Sequence, residues 1–460
     1  MFIARETELK IIRETLIKKS ASVLVYGKRK VGKTTLILQA LKSSRDVNIY
    51  YECLRAPLKE NIAGLVAALV KAGVLPVAMT FESFQDLFAY INTLNGTFNI
   101  VIDEYPYLKK YEKSDYIDSV FQSVIDNHLS NVRLFISGSH IAMMKELLSE
   151  GNALYSRFGS VIVLHELNYR EAAAFYPQKS AYDKIAFYSV FGGSPFVNEQ
   201  LNCNADIKSN IINTLLNPTS SVYVYADNML ISDLSNTVNA ERIFGAIGNG
   251  KKRYNEIEGK LSMKSNGLLS KNLETLLKME LLSKVYPINK SDDDKKSMYE
   301  LSDNVLRFWY TYVYKNRSAL QMLGADAFYA SYIAPSLKTF ISHRFEEIAR
   351  VYFSLCARAG KLKGVLNIGT YYYDDSASKT NGEFDVVLQR ADAYDIYEAK
   401  YYSSPLLLKE MREEEKQIKT IKGIRVGEVG FIAANGFEEL TTEYDCITGE
   451  ELYCKNNCRL

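Results

Sequence analysis

No apolar run in this 460-residue sequence reaches the ~18 residues needed to cross a bilayer. The opening Met1-Phe2-Ile3-Ala4-Arg5-Glu6 has no apolar core of a secretory signal. The expectation is a cytoplasmic chain with no membrane partner. Cysteine is sparse: six residues, scattered, which argues against a disulfide framework. Cys446, Cys454 and Cys458 crowd the C-terminal end, but their spacing fits no common zinc pattern. An excess of one charge is also lacking. The formal net charge is +2, which neither requires nor excludes a nucleic-acid partner. One tryptophan stands against 33 tyrosines. That ratio fits an AT-rich coding background as well as it fits many half-buried sites with a polar tip.

What is present is a globular composition. Hydrophobic residues make up 47% and charged residues 24%, which excludes wholesale disorder. At roughly 150 residues per domain, the length suggests about three domains.

The strongest signal lies near the start. The β-formers Val23-Leu24-Val25-Tyr26 end at Gly27, and Gly27-x-x-x-x-Gly32-Lys33-Thr34 follows. Glycines at this spacing let backbone N–H groups turn inward around phosphate oxygens, with the next helix offering its positive end. Lys33 can reach the β- and γ-phosphates, and the Thr34 hydroxyl can join a Mg²⁺ shell. A tight glycine turn between any strand and helix would explain the glycines but not Lys-Thr at this offset. The candidate nucleotide-binding stretch is Gly27, Lys28, Arg29, Lys30, Val31, Gly32, Lys33, Thr34 and Thr35.

Around it the pattern is of alternating strands and helices. Helical spacing of Leu9, Ile12 and Leu16 predicts a helix within 2–19, with Thr7 as a possible cap. Strands are expected at 47–51, 98–102, 132–136 and 161–164, with helices at 58–73, 81–94 and 114–128 between them. The strand Phe98–Ile102 runs into Asp103-Glu104. Alone this is a common solvated strand end. Downstream of a phosphate loop it suggests Asp103 on the Mg²⁺ shell and Glu104 polarising the attacking water. The fourth strand ends in Ser137-Gly138-Ser139, which is either a Ser-Gly turn or a polar contact to the γ-phosphate. Parallel strands alternating with helices imply a covered α/β sheet with its ligand at the strands' C-terminal ends. No LSGGQ-like signature lies between the loop and Asp103, which disfavours a transporter ATPase.

Arg5-Glu6-x-Glu8-Leu9, GKRKVGKT, IVIDE and ISGS together resemble the AAA+-related P-loop ATPases widespread in archaea and some bacteria, close to the STAND signalling NTPases. The resemblance implies ATP and Mg²⁺ as cofactors, a sheet ordered 5-1-4-3-2, and a small helical lid. It implies Arg5 and Glu6 near the adenine pocket, Asp103 by Mg²⁺, Glu104 as catalytic base and Ser139 as sensor. Arg157, in YSRFG, is the candidate cation for a γ-phosphate, in cis or from a neighbour in a homo-oligomer; a solvated surface arginine is the plain alternative. Gly192-Gly193-x-Pro195 between helices matches the lid, and equally an ordinary helix connection.

Residues 255–288 read as helix, turn, helix, short strand, with Leu268, Leu273, Leu276, Leu277, Leu281 and Leu282 as an apolar face. This is a winged helix-turn-helix pattern. Residues 250–290 hold nine Lys/Arg against four Asp/Glu. Ser270-Lys271-Asn272-Leu273 could then enter a DNA major groove, although such modules often contact protein instead. Residues 298–317 are expected as an aromatic-rich helix with Phe308, Trp309 and Tyr312 in the core. LSDNVLRFWY resembles the start of the DUF234-type domain that often follows these ATPases.

A second site is legible further on. The strands Phe384–Leu388 and Tyr394–Lys400, joined by QRADA, form a hairpin. A turn centred between Ala391 and Asp392 sets Asp385 opposite Glu398, and Glu398 and Lys400 share a face. Two carboxylates can hold a divalent metal, and a lysine beside them can orient water onto a phosphodiester. A cross-strand salt-bridge ladder is the bland alternative. The arrangement resembles the PD-(D/E)xK nucleases, which implies Mg²⁺ or Mn²⁺ and a helix glutamate, Glu346 with Glu347 as fallback. GEVGFIAAN is expected to close this sheet.

The expected fold is α/β: a P-loop AAA+-like parallel sheet (1–168) with a helical lid (169–229), a winged helix-turn-helix (230–296), and an α/β restriction-endonuclease-like domain (297–460). The expected function is an ATPase coupled to DNA (or RNA) binding and metal-dependent cleavage. The alternative is a nucleotide-dependent switch whose C-terminal domain binds nucleic acid or protein without cutting.

Overall fold

The computed structural model describes residues 2–110, 114–233, 240–248, 250–261, 267–375, 380–421, 423–439 and 441–454. The chain divides into two compact units, Met1–Glu166 and Leu167–Leu460. Among the described residues no helix is long and apolar enough to cross a membrane.

In the first unit, β1 (Ala21–Tyr26), β2 (Val47–Glu52), β3 (Phe98–Asp103), β4 (Val132–Gly138) and β5 (Ser160–Val163) form a parallel sheet. Its order is β2-β3-β4-β1-β5, the order implied by the ATPase resemblance. β3 and β4 are buried along their whole length because helices cover both faces. Helices Glu6–Leu16 and Lys33–Leu41 pack on Val23, Val25, Val101 and Phe135. Helices Leu58–Lys71, Phe84–Asn92 and Ser114–Asn127 pack on Leu24, Ile100, Ile102 and Leu134. The first helix begins at Glu6 behind Arg5, so Thr7 lies inside it and is not its cap. Tyr26 pairs with Gly138, and Glu52 with Asp103. The register therefore brings the glycine loop, Asp103 and the Ser137–Ser139 segment to one edge of the sheet.

The second unit was expected as three parts, but one hydrophobic core runs from Tyr169 through Phe187, Phe244, Leu273, Trp309, Phe345 and Tyr397 to Leu452. The aromatics explain this. Phe308, Trp309 and Tyr312 are buried and pack against several elements at once. The helix holding them starts at Asn304, because Asp303 caps it and residues 298–301 are a strand. Helices Ala240–Ile247, Tyr254–Leu261 and Leu268–Lys278 precede the antiparallel pair β6 (Leu282–Val285) and β7 (Met298–Leu301), with Lys252 bridging Tyr299. Leu269, Leu273 and Leu276 form the inner face, whereas Leu268 points out.

A long helix, Ala334–Arg358, then leads into β8 (Asn367–Asp375), β9 (Thr380–Gln389), β10 (Tyr394–Lys400), β11 (Val426–Ala433) and β12 (Asp445–Thr448). The sheet order is β12-β11-β10-β9-β8. β11 does not close the sheet as expected; β12 adds to it in parallel. The long helix and helix Leu408–Thr420 cover the sheet, through Phe353 against Tyr397 and Ile418 against Val387 and Ile396.

Candidate functional site

Gly27 leaves β1 against the backbone of Leu164; a Cβ there would sit 2.0 Å from the Leu164 oxygen, so no side chain fits. The loop then turns through left-handed backbone at Lys30 (φ 66°) and Gly32 (φ 94°). Val31 is buried, while Lys30 and Thr35 are exposed and Lys28 and Arg29 half-buried. Lys33 is buried, and its Nζ donates to the Gly27 and Lys28 carbonyl oxygens at 3.0 and 2.9 Å. Its ammonium thus spans the loop from within.

Asp103 is gripped on both oxygens. Oδ2 accepts from Thr34 Oγ1 at 2.6 Å and Tyr50 OH at 2.9 Å. Oδ1 accepts from Ser137 Oγ at 2.5 Å and the Glu104 N–H at 3.0 Å. Burial and the charge of Asp103 push the Tyr50 phenol up, so it stays protonated as a donor. Tyr50 and Ser137 were not singled out as Asp103 partners from sequence; β2 and β4, the strands on either side of β3, carry them there. Glu104 stands in left-handed backbone (φ 52°), and its Oε2 accepts from Ser139 Oγ at 2.9 Å and Ser139 N–H at 3.3 Å. A non-glycine residue held at positive φ beside the phosphate loop marks a position the fold over-determines. The hydroxyl and carboxylate of Thr34 and Asp103 are a donor set that fits Mg²⁺.

Arg5 caps the first helix, and its Nη2 donates to His165 O at 2.6 Å and Val31 O at 3.4 Å. It ties the N-terminal segment to the loop. Glu6, beside it, is exposed. Arg157 is a correction for a cis role. Its Nε pairs with Asp126 at 3.0 Å, and its carbonyl accepts from Ser22 at the start of β1. At about 3.3 Å rise per residue, that places it at the sheet edge opposite the phosphate loop.

In the second unit, β9 and β10 pair as Gln389↔Tyr394, Leu388↔Asp395, Val387↔Ile396 and Val386↔Tyr397. On the other side, Gly369↔Val387 is followed by Tyr371↔Phe384. β9 therefore carries an extra residue, a β-bulge spanning Asp385. Bulges re-aim side chains; this one lies in the β8–β9 pairing, while the β9–β10 pairs keep the expected register as far as Val386↔Tyr397, one step before Asp385 and Glu398.

Asp385 meets Lys251, whose Nζ lies 3.8 Å from Oδ1 and 3.6 Å from Glu383 Oε1. Burial and the nearby charge of Glu346 push the Asp385 carboxyl up to about 6, with Lys251 opposing. Burial also raises Glu398, helped by Glu414 and Glu346 and opposed by Lys400. Lys400 Nζ bonds Glu414 at 2.5 Å and lies 3.3 Å from Glu398. Glu346 pairs with His343 Nδ1 at 3.7 Å. Among the described residues no three His, Cys, Asp or Glu side chains are gathered closely enough to hold a metal ion. Glu346 thus bears on both Asp385 and Glu398, without the three closing into a ligand shell.

Glu347 is not the fallback ligand. Arg307 Nη1 and Arg344 Nη1 approach its Oε2 at 2.6 and 3.4 Å. Burial works against its charge, but these arginines and Arg350 hold its carboxyl down at about 2. Lys251, His343 and Glu414 escaped sequence reasoning because each reaches the site from a separate element. Of the expected groove-reading residues, Asn272 and Leu273 are buried. Outside, Lys271 and Lys278 accompany Glu274, which binds Lys278 at 2.7 Å. Cys53, Cys203, Cys446 and Cys454 are free thiols. Cys458, of the C-terminal trio, lies outside the described residues.

Residues 2–201 match the family model of an ATPase domain found predominantly in Archaea. Residues 309–418 match DUF234, described as archaeal and bacterial proteins of unknown function. An uncharacterised protein of Methanocaldococcus jannaschii is 27% identical over 379 residues, covering 81% of this chain and 82% of the relative. The Walker-type ATPase of Pyrococcus abyssi is similar with a TM-score of 0.49 at 17% identity, over 67% of this chain and 96% of its own. The ORC2 protein of Aeropyrum pernix reaches 0.47 at 11% identity, over 69% of this chain and 95% of its own.

Proposed function

We propose that this chain, an archaeal-type P-loop ATPase domain joined to a DUF234 domain, couples ATP hydrolysis to metal-dependent phosphodiester cleavage in its C-terminal half. In the ATPase site, Lys33 would leave the loop carbonyls for the β- and γ-phosphates. Thr34 and Asp103 would hold Mg²⁺, which supplies charge neutralisation on the phosphates. Glu104 would orient the attacking water, and Ser139, which holds the same carboxylate, would report on the γ-phosphate. Arg5 acts as a positioning residue through Val31. Arg157 could reach a γ-phosphate only from a second copy of the chain, its own loop lying at the other end of β1.

The observation that carries the nuclease half is the bulge at Asp385, which brings a carboxylate under the influence of Glu346 near Glu398 and Lys400. Carboxylates that raise one another's pKa are the chemistry a divalent cation relieves. Asp385, Glu398 and Glu346 would have to draw closer together to hold Mg²⁺ or Mn²⁺, which would supply an activated water. Lys400, held by Glu414, would orient that water. The three helices with the β6–β7 pair are read as a winged helix whose basic surface meets DNA.

The test is cleavage of plasmid, linear and single-stranded DNA and of RNA, with Mg²⁺ or Mn²⁺ and with or without ATP. Cleavage by the wild type, lost in a Glu398→Ala/Lys400→Ala variant, is the expected result. A second reading is a nucleotide-dependent regulator that binds without cutting. It is favoured by the ion pairing of Lys251 to Asp385 and by the unclosed ligand set. It requires no cleavage under any of these conditions and nucleic-acid binding indifferent to Lys400→Ala.

A further inference from the structure

The second unit holds a cavity of about 240 Å³ whose lining includes Lys251, Glu300, Arg307, Thr339, His343 and Arg344. Arg307 and Arg344 are 5% and 8% exposed. Arg307 is fully engaged by Leu301 O, Asn304, Glu347 and Glu300. Arg344 is not. Among the described residues its one hydrogen bond runs from Nη1 to Glu347 at 3.4 Å, and Glu300 is 3.9 Å away. A buried guanidinium normally has its donors matched, because an unmatched buried charge is costly. Here both carboxylates are already committed to Arg307. Burial and the neighbouring Arg307 accordingly push the pKa of Arg344 down.

Lys251 adds a third cation on the cavity wall, again with only long contacts, at 3.6 and 3.8 Å. Glu300 is the one carboxylate in that lining, with Glu347, Glu383 and Asp385 reaching the cations from beyond it; three cations thus line the cavity. They come from different elements, so they do not present the single planar fork that suits a carboxylate. Separate cations suit a tetrahedral dianion with several acceptor oxygens. The volume admits a small ester and excludes a duplex.

We propose that this cavity is a binding site for a phosphate monoester, with Arg344 and Lys251 as its cationic ligands and Thr339 as a hydroxyl donor. The site stands whether or not Asp385 and Glu398 hold a metal.

The experiment is calorimetric titration of the full-length chain carrying Lys33→Ala, so that the phosphate loop does not dominate the signal. Inorganic phosphate, AMP and a 5′-phosphorylated trinucleotide are the probes. Saturable binding of phosphate is expected, weakened at least about tenfold by Arg344→Gln and by Thr339→Trp. The second variant replaces an exposed position on the long helix, so it tests the cavity even if Arg344→Gln unfolds. Tighter binding of AMP assigns the site to a free nucleotide, and tighter binding of the trinucleotide assigns it to a strand end. Absence of saturable binding, or binding equal in Thr339→Trp and its parent, overturns the proposal.

Discussion

Lys251 Nζ lies 3.8 Å from Asp385 Oδ1, joining the turn before helix Tyr254–Leu261 to the bulge of β9. This cation stands where a divalent metal would approach the bulged carboxylate. Removing it should leave Arg350 as the cation acting on Asp385 among the described residues. Lys251→Ala is therefore expected to tighten Mn²⁺ binding by about tenfold, as expected when an opposing charge is withdrawn. Electron paramagnetic resonance of free Mn²⁺ measures this without relying on cleavage. Weaker or unchanged binding would argue that Asp385 takes no part in holding a metal.

The same carboxylate sets a pH dependence. Burial and Glu346 raise Asp385 from 3.8 to about 6. Between those values the folded chain holds a proton that the unfolded chain has lost. The contribution of Asp385 to stability is thus fully present below pH 3.8 and declines as pH rises through 6. Metal binding runs the other way, weakening by about tenfold per unit below pH 6 and levelling above it. A Mn²⁺ titration at pH 5, 6 and 7 checks this; a flat profile would contradict it.

At the ATPase site, Lys33→Ala should lower turnover by at least about a hundredfold. Glu104→Gln should lower it by a similar factor while leaving nucleotide binding intact, because Ser139 still has an acceptor at that position. Arg157→Ala should change the turnover of the monomer less than about twofold, since only surface contacts with Asp126 and the Tyr155 carbonyl are lost. Steady-state phosphate release and binding of a fluorescent ATP analogue separate these cases. Unchanged turnover in Lys33→Ala would remove this site from the reaction.

Arg307 provides a stability test. It is buried and joins Leu301, Asn304, Glu300 and Glu347. Arg307→Met leaves Glu300 to Arg344, and Glu347 to Arg344 and Arg350. A loss of about 3 kcal/mol is expected, read from urea unfolding of the variant beside the wild type. A loss below about 1 kcal/mol would mean that the network is solvated.

The amino-acid sequence by itself determined the phosphate loop and the companion Asp103-Glu104, whereas the strand order of the first sheet was implied by the resemblance alone. The loop and its companion are local signals: a period, a spacing and glycines whose conformation few residues share. It also determined the register of the β9–β10 hairpin for the pairs nearest the turn, because side-chain alternation leaves little choice there. Only the tertiary structure decided which partners hold Asp103, that Arg157 lies at the far edge of the sheet, and that Glu347 belongs to an arginine network. It alone revealed the bulge that aims Asp385 and the arrival of Lys251, His343 and Glu414. Each of these depends on residues distant in sequence meeting across packed elements, and neither local periodicity nor motif spacing carries that information.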